Sequence, residues 1–503
     1  MKSVARLLAA AAIVLVSSGA HAATTLRIGL ASDPNTLDPA TDGSVYGRII
    51  FAALCDKLVE VDRKMQFVPQ LATEWSWSAD RLALTMKLRP GVQFHDGEKF
   101  DAAAVKANID RYKNMAESRR KSELAPVKSV TVIDPLTARF DLERPYAPLL
   151  SILSDRAGMM GSPKEIAAAG ANFARRPICS GPFRFFERVD LDRIVLDRFD
   201  GYYDKNAAKV DRVVYLPITD NSVRLANLRA GQLDIIEQLA PTDLGVARGD
   251  SRIRVADSVS IAYNTFTFNV ANGERANTPF GRDKRVREAF ELAVDRNVIN
   301  QVVFNGEYIP NNQVEAPGSP FHFADLPVPK RDVARAKQLL AEAGAPRPQI
   351  TFFIGNNPIA SQVGQVVQSM AGEAGFDVKL EALDGPTMVQ RSQKGDYQAA
   401  FAIWSGRPDP DGNVTFWFHC KGFINWGKYC NDKLDGLLER AQQVTDLAER
   451  KALYRQAAEI YLADRPHMIL YHLKWFWGVS RKVDGFQPHP DGLIRVTGVS
   501  VQG

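Results

Sequence analysis

The chain has 503 residues, 45% hydrophobic and 24% charged, with a formal net charge of +5. That length and balance describe a globular protein of two or more domains rather than a fibrous or disordered chain. The charge is small and forms no Lys/Arg run, which argues against a nucleic-acid partner.

The first residues carry Lys2 and Arg6, an apolar run from Leu7 to Val16, and the end Ala20-His21-Ala22. A basic start, a core of about ten apolar residues and small residues at the end make a secretory signal peptide. The run is too short to span a bilayer, which takes roughly 20 apolar residues. Cleavage is expected after Ala22, so residues 1–22 are read as a leader. No cysteine precedes Cys55, so no lipid anchor is expected. The mature chain is expected in the periplasm.

In chain order, Leu26 to Leu30 alternates as a strand, and a helix runs from about Ser44 to Leu54. Leu84 to Leu88 alternates again; Val92 to Phe94 resumes as a short strand before the turn His95-Asp96-Gly97. Asp101 is placed to cap a helix through Tyr112. Asp192–Phe199 and Val210–Pro217 read as strands, with a helix capped by Asn221 or Ser222 and then the strand Leu233–Ile236. Val286, Ala289, Phe290, Ala293 and Val294 recur at helical spacing, a core stripe. Asp332 caps a helix stopped by Gly344; Gln349–Ile354, a helix near Gln362–Ala374 and Val378–Ala382 form a β-α-β rhythm. Asp446 and Glu449 form a capping box, Pro466 ends that helix, and Ile469–Val479 is a strand. Strands alternating with helices predict α/β layers, mixed sheets flanked by helices.

The chain has four cysteines, and an exported protein favours pairing them. Cys420 and Cys430 are close in sequence and are expected to bridge. Cys55 and Cys179 then pair by elimination; buried free thiols are the alternative.

Several words of the sequence carry a resemblance. Leu88-Arg89-Pro90-Gly91-Val92-Gln93-Phe94-His95-Asp96-Gly97 closely resembles the signature of family 5 extracellular solute-binding proteins, the peptide- and nickel-type receptors of ABC importers. Thr36–Ala40, Leu71–Trp75, Cys179–Phe185 and Arg285–Phe290 resemble further blocks of that family in the same order. The resemblance implies a two-lobed periplasmic binding protein of type II (cluster C). Lobe I is then 23–265 completed by 476–503, and lobe II is 266–475. Strands near Ile261–Asn269 and Tyr471–Val479 cross between them. It further implies a monomeric, non-enzymatic receptor without a cofactor, which captures a small peptide or related amino compound and delivers it to an inner-membrane ABC permease. An opine, haem, an oligosaccharide or a metal chelate is the alternative cargo.

Relatives are expected to anchor a peptide amine with an aspartate after a tryptophan-bearing strand. Here that segment runs from Trp404 through Arg407 to Asp409 and Asp411. Asp409 takes the matching position with Asp411 behind it, unless the two only shape a Pro/Gly-rich turn. Trp404 could floor the pocket or belong to the core. Arg407 stands in for the carboxylate-binding arginine that Gly355-Asn356-Asn357 lacks, through its bidentate fork. Tyr46 is the contact expected from lobe I.

Other motifs are set aside. Gly422 to Tyr429 mimics a phosphate-binding loop, but Tyr429 replaces its Ser/Thr. The histidines lack ligand spacing, so no metal site is expected. No nucleophile, base and orienter set is visible.

Overall fold

The structure is a computed structural model that describes residues 23–502; the leader reading, residues 1–22, lies outside the described residues. Strand β1 (Thr25–Leu30) buries Leu26, Ile28 and Leu30. Helix α1 (Val45–Leu54) starts at Ser44, whose hydroxyl accepts a bond from the Gly47 amide at 2.9 Å. A separate four-stranded antiparallel sheet follows, from β2 (Ala72–Trp77), β3 (Ala83–Leu88), β4 (Val127–Asp134) and β5 (Thr137–Leu142), in the order β2-β3-β5-β4. Leu84, Met86 and Leu88 point inward from β3, the alternation expected of a half-buried strand. Helix α2 (Ala102–Asn114) covers this sheet and is capped by Asp101, which accepts from the Ala104 amide at 2.9 Å. Val92–Phe94 is not a strand. It makes one bridge, Gln93 to Lys99, around the turn that Gly97 closes with φ +85°.

The short helix α3 (Leu149–Leu153) leads toward the main sheet. That sheet has eleven strands. Its strands are β1, β6 (Phe183–Val189), β7 (Arg193–Arg198), β8 (Arg212–Pro217), β9 (Ile235–Ile236), β10 (Ile253–Phe268), β11 (Gln349–Gly355), β12 (Asp377–Leu383), β13 (Ala399–Trp404) and β14 (His467–Ser480), in the order β12-β11-β13-β10-β14-β9-β1-β8-β7-β6, with Ile309–Pro310 pairing to β14. The helix after β8 is capped by Asp220, one residue before the expected cap, because its carboxylate reaches the Val223 amide at 2.9 Å.

Two long strands join the two lobes. Residues 253–259 of β10 pair with the end of β14, beside β9 and β1. Residues 263–268 pair with the start of β14 and with β13. The β10–β14 register shifts between Val259 and Tyr263, where the Ile261 amide donates to Pro490 O at 3.1 Å instead. A ladder interrupted at this point separates two layers of core. One packs Ile28, Tyr215, Trp477 and Ile494; the other packs Phe266, Phe290, Phe352 and Val367.

In the second lobe α4 (Lys284–Ala293) buries Val286, Ala289, Phe290 and Ala293 as the periodicity required. Helix α5 (Pro358–Ala374) starts four residues before the expected Gln362, because Asn357 caps it through the Ala360 amide at 2.9 Å and Pro358 fits a first turn. Helices α6 (Asp411–Phe418), α7 (Asp432–Gln443) and α8 (Leu447–Asp464) complete the lobe. Asp446 caps α8 at the Glu449 amide, and Arg465, in a left-handed conformation, ends it before Pro466. Disulfides join Cys55 to Cys179 and Cys420 to Cys430. No helix among the described residues is long and apolar enough to cross a membrane.

Candidate functional site

The loop after β13 is shaped by its contact with the crossing strand. Gly406 has φ +75°, and a Cβ there would lie 2.4 Å from the Ile261 carbonyl oxygen, so only glycine passes. Asn413, on the first turn of α6, then fixes the loop. Its oxygen accepts from Trp404 Nε1 at 3.0 Å and from the Arg407 amide at 2.7 Å. Its amide nitrogen donates to Arg407 O at 3.0 Å and to Glu315 Oε1 at 2.7 Å. Burial pushes the Glu315 carboxyl up from its ordinary value.

Trp404 is 9% exposed and packs in the core with Tyr263, Val414 and Trp417. The Arg407 guanidinium lies 4.7 Å from the centre of its ring, so that ring face is covered rather than bare. Arg407 Nη1 donates to Gly406 O at 2.7 Å and to Ser405 Oγ at 3.3 Å.

Asp409 is paired within the structure. Its two oxygens meet Arg450 Nη1 and Nη2, each at 2.8 Å, and Oδ1 also accepts from the Asp411 amide at 3.0 Å. This charged, fork-to-fork pair fixes the carboxylate inside one lobe and already neutralises its charge. Burial alone would push Arg450 down; Asp409 overrides it and holds the guanidinium charged. Asp411 is likewise committed, accepting from Thr415 Oγ1 at 2.5 Å and Gln442 Nε2 at 2.9 Å. Burial, and then the Asp409 charge, push its carboxyl up.

The first lobe meets this loop along α3. The Asp409 amide donates to Ser151 Oγ at 3.4 Å, the Ala147 amide to Gln442 O at 2.6 Å, and Arg144 Nη2 to Gln442 Oε1 at 2.8 Å. Just beyond, Asp155 Oδ1 accepts from Arg48 Nε at 3.1 Å, and Oδ2 lies 3.7 Å from Arg407 Nε. Burial would raise the Asp155 carboxyl, but Arg48, Arg156 and Arg407 hold it well below the usual range.

Tyr46 is half-buried on α1, two residues before Arg48 and so on a different face of the helix, and faces Glu237, Arg224 and Gln238. Burial and then the Glu237 charge push its phenol up. Arg48, Asp155, Asn413 and Arg450 were not singled out in the sequence. They come from four distant segments, and no local spacing joins them. In the segment Gly355–Asn357, which has no arginine, Asn357 caps α5. The loop between Cys420 and Cys430 is packing: a Cβ on Gly427 would lie 2.1 Å from Phe268 O.

Two lobes built on shared crossing strands, touching around a polar loop, define the class of two-lobed solute-binding proteins. The chain matches the family model "Bacterial extracellular solute-binding proteins, family 5 Middle" over residues 66–425, and it belongs to that family. It is 28% identical over 493 residues to the glutathione-binding protein GsiB of Pectobacterium atrosepticum, covering 95% of each chain. GsiB of Salmonella paratyphi A is 28% identical over 485 residues, covering 94% of this chain and 93% of that protein. Among solved structures, the chain is similar to the periplasmic binding protein AgaA from A. tumefaciens in complex with agropinic acid. That likeness has a TM-score of 0.83 at 24% identity over 95% of this chain and 99% of the other. The dipeptide binding protein from Pseudoalteromonas, in complex with Met-Leu, gives 0.85 at 22% identity over 95% and 100%.

Proposed function

We propose that this chain is the periplasmic receptor of an ABC importer, without enzymatic activity, and that it carries a short peptide or related amino compound to the permease. The reading rests on the Ser405–Asp409 loop of the second lobe meeting Ser151–Asp155 of the first. A guest seated there touches both lobes, so it favours the closed form over the open one, which is what a permease reads. The glutathione-binding relatives support a peptide-sized cargo bearing carboxylates. We place the lobe boundaries at 265 and 475, with the register shift of β10 as the bending point. Within the loop, Arg407 is the charged ligand contact, Trp404 its stacking support, and Tyr46 a contact from the first lobe. Asp409 and Asp411 hold the loop in shape.

The test is native mass spectrometry of the purified protein, followed by thermal shift against peptides and opines. A co-purified compound and a raised Tm are expected. A ligand with Kd near 1 µM has about −8 kcal/mol of binding free energy and stabilises measurably at saturation. Finding neither a bound compound nor a shift would overturn the reading, and turnover of a stabilising compound would replace it with an enzyme.

A further inference from the structure

The contacts between the two lobes are not equally close. At the Arg407 loop they are long: Asp409 N lies 3.4 Å from Ser151 Oγ, and Arg407 Nε lies 3.7 Å from Asp155 Oδ2. At the last turn of α7 they are short. The Ala147 amide donates to Gln442 O at 2.6 Å, and Arg144 Nη2 donates to Gln442 Oε1 at 2.8 Å. One residue of the second lobe thus takes two donors from the first.

Each side is prepared for this meeting within its own lobe. The helix ends at Gln443, so the Gln442 carbonyl lies in the last turn, where carbonyls find no amide inside the helix. The Ala441 carbonyl before it is taken by Arg450 Nε at 3.0 Å, within the lobe; that of Gln442 is met from the other lobe. The same helix end is the negative pole of its dipole, which favours the Arg144 cation beside it.

The Gln442 side chain, on a residue 7% exposed, is held in one orientation. Its Nε2 donates to Asp411 Oδ1 at 2.9 Å, and an ionised carboxylate only accepts, so Oε1 is the atom turned to Arg144. In the first lobe, Pro145 and Pro148 fix φ on either side of Tyr146-Ala147 and stiffen the segment that brings both donors. The Arg144 guanidinium lies 5.7 Å from the centre of the buried Tyr146 ring. Burial, then the Asp411 and Asp409 charges, push the Tyr146 phenol well above its ordinary value, so this ring faces the acidic pair of the second lobe.

We propose that Gln442 is a clasp: with Ala147 and Arg144 it stabilises the closed form independently of the ligand, and so sets how long any cargo is held. The inference deepens the receptor reading, as regulation of the same cleft, and rests on it. A ligand's apparent affinity is its intrinsic affinity reduced to the fraction of protein in the competent form. A clasp that favours closure therefore strengthens every ligand by one factor, and specificity stays with the groups that line the cleft.

The experiment is calorimetric and stopped-flow titration of the mature protein with Met-Leu, glutathione and agropinic acid, beside its Arg144→Met and Gln442→Ala variants. Losing the charged hydrogen bond between these two side chains is expected to weaken each compound that binds the parent by the same factor, about tenfold. The loss should fall on the dissociation rate and leave the association rate little changed. The two variants should match, and the double variant should be no weaker than Gln442→Ala alone, because both remove one contact. Arg144→Met decides by itself if Gln442→Ala, which also frees Asp411, does not fold. Affinities equal to the parent's would overturn the clasp. So would a loss for one compound while another binds unchanged, which would make Arg144 a ligand contact. If the parent binds none of the three, native mass spectrometry compares the co-purified compound kept by parent and Arg144→Met after the same dialysis. Less in the variant supports the clasp, and equal retention overturns it. A parent that neither binds nor carries a compound sinks the receptor reading itself.

Discussion

Asp409 in the second lobe and Asp155 in the first are both buried beside arginines, yet their pairings differ in kind. Asp409 takes both fork nitrogens of Arg450 at 2.8 Å, and the pair lies within one lobe. Asp155 is divided between Arg48 and Arg156 of its own lobe, at 3.1 and 3.6 Å, and Arg407 of the other at 3.7 Å. The first arrangement persists whether the lobes are open or closed. The second is complete only when they meet. A saturated pair shapes a loop; a carboxylate shared between the lobes responds to whether they are closed. Each region also has its own staple. Cys55, directly after α1 that carries Arg48, is tied to Cys179, and Cys420, just after α6, is tied to Cys430.

The largest effect expected from disturbing either region is loss of the long staple. Cys55 and Cys179 are 124 residues apart, and freeing a loop of that size costs about 5 kcal/mol in the chain-entropy picture. Urea unfolding of the Cys55→Ala/Cys179→Ala variant measures it directly. A loss near zero would mean that α1 and the turn at 179 are held by packing alone. Next comes Asp409→Ala, which leaves Arg450 buried and uncompensated, at a cost of roughly 3–5 kcal/mol. Adding Arg450→Met should recover much of that loss. An apo Tm unchanged by Asp409→Ala, with binding abolished, would show that Asp409 is an open ligand anchor after all and would break the contrast with Asp155.

The sequence was legible where the chemistry is local. Ser44, Asp101 and Asp332 cap the helices expected of them, since a cap needs only an amide three residues ahead. The stripe Val286 to Ala293 is buried for the same reason: its period lies in one helix. Val92–Phe94 misled because Arg89-Pro90-Gly91 and Asp96-Gly97 leave too little chain between them for a ladder, and one bridge is all that fits. The site was readable only in part. The Trp404–Asp411 loop stood out by composition. The partners that decide what each aspartate does come from α8, from the turn after α3 and from α1. Nothing at position 450 marks it as the answer to position 409.

The short staple gives a smaller effect. Cys420 and Cys430 are 10 residues apart, and opening that loop costs roughly 2–3 kcal/mol. Because the loop packs on Phe268 rather than on the first lobe, Cys420→Ser/Cys430→Ser should lower the Tm while leaving ligand affinity within a few-fold. A large affinity loss would extend the site into this loop.

The smallest effect lies between the two regions, on the crossing strand β14. His472 is fully buried there, its Nε2 3.1 Å from Gln313 O, and burial pushes its pKa down to about 4. A folded-state value below the unfolded one, about 6.5, means the unfolded chain takes up the proton first. The stabilising contribution is therefore complete above pH 6.5 and is lost as the pH falls toward 4. Asp56 runs the other way. Burial raises it to about 7, so its contribution is present in acid and is lost as the pH rises from about 4 to 7. Replacing His472 by glutamine keeps a donor for Gln313 O but removes the titration. Between pH 6 and 5 the variant's unfolding free energy should fall less steeply than the parent's, by up to about 1.4 kcal/mol per pH unit. Parallel slopes would show that His472 does not stay neutral, and the crossing strands would then be wetter than this packing allows.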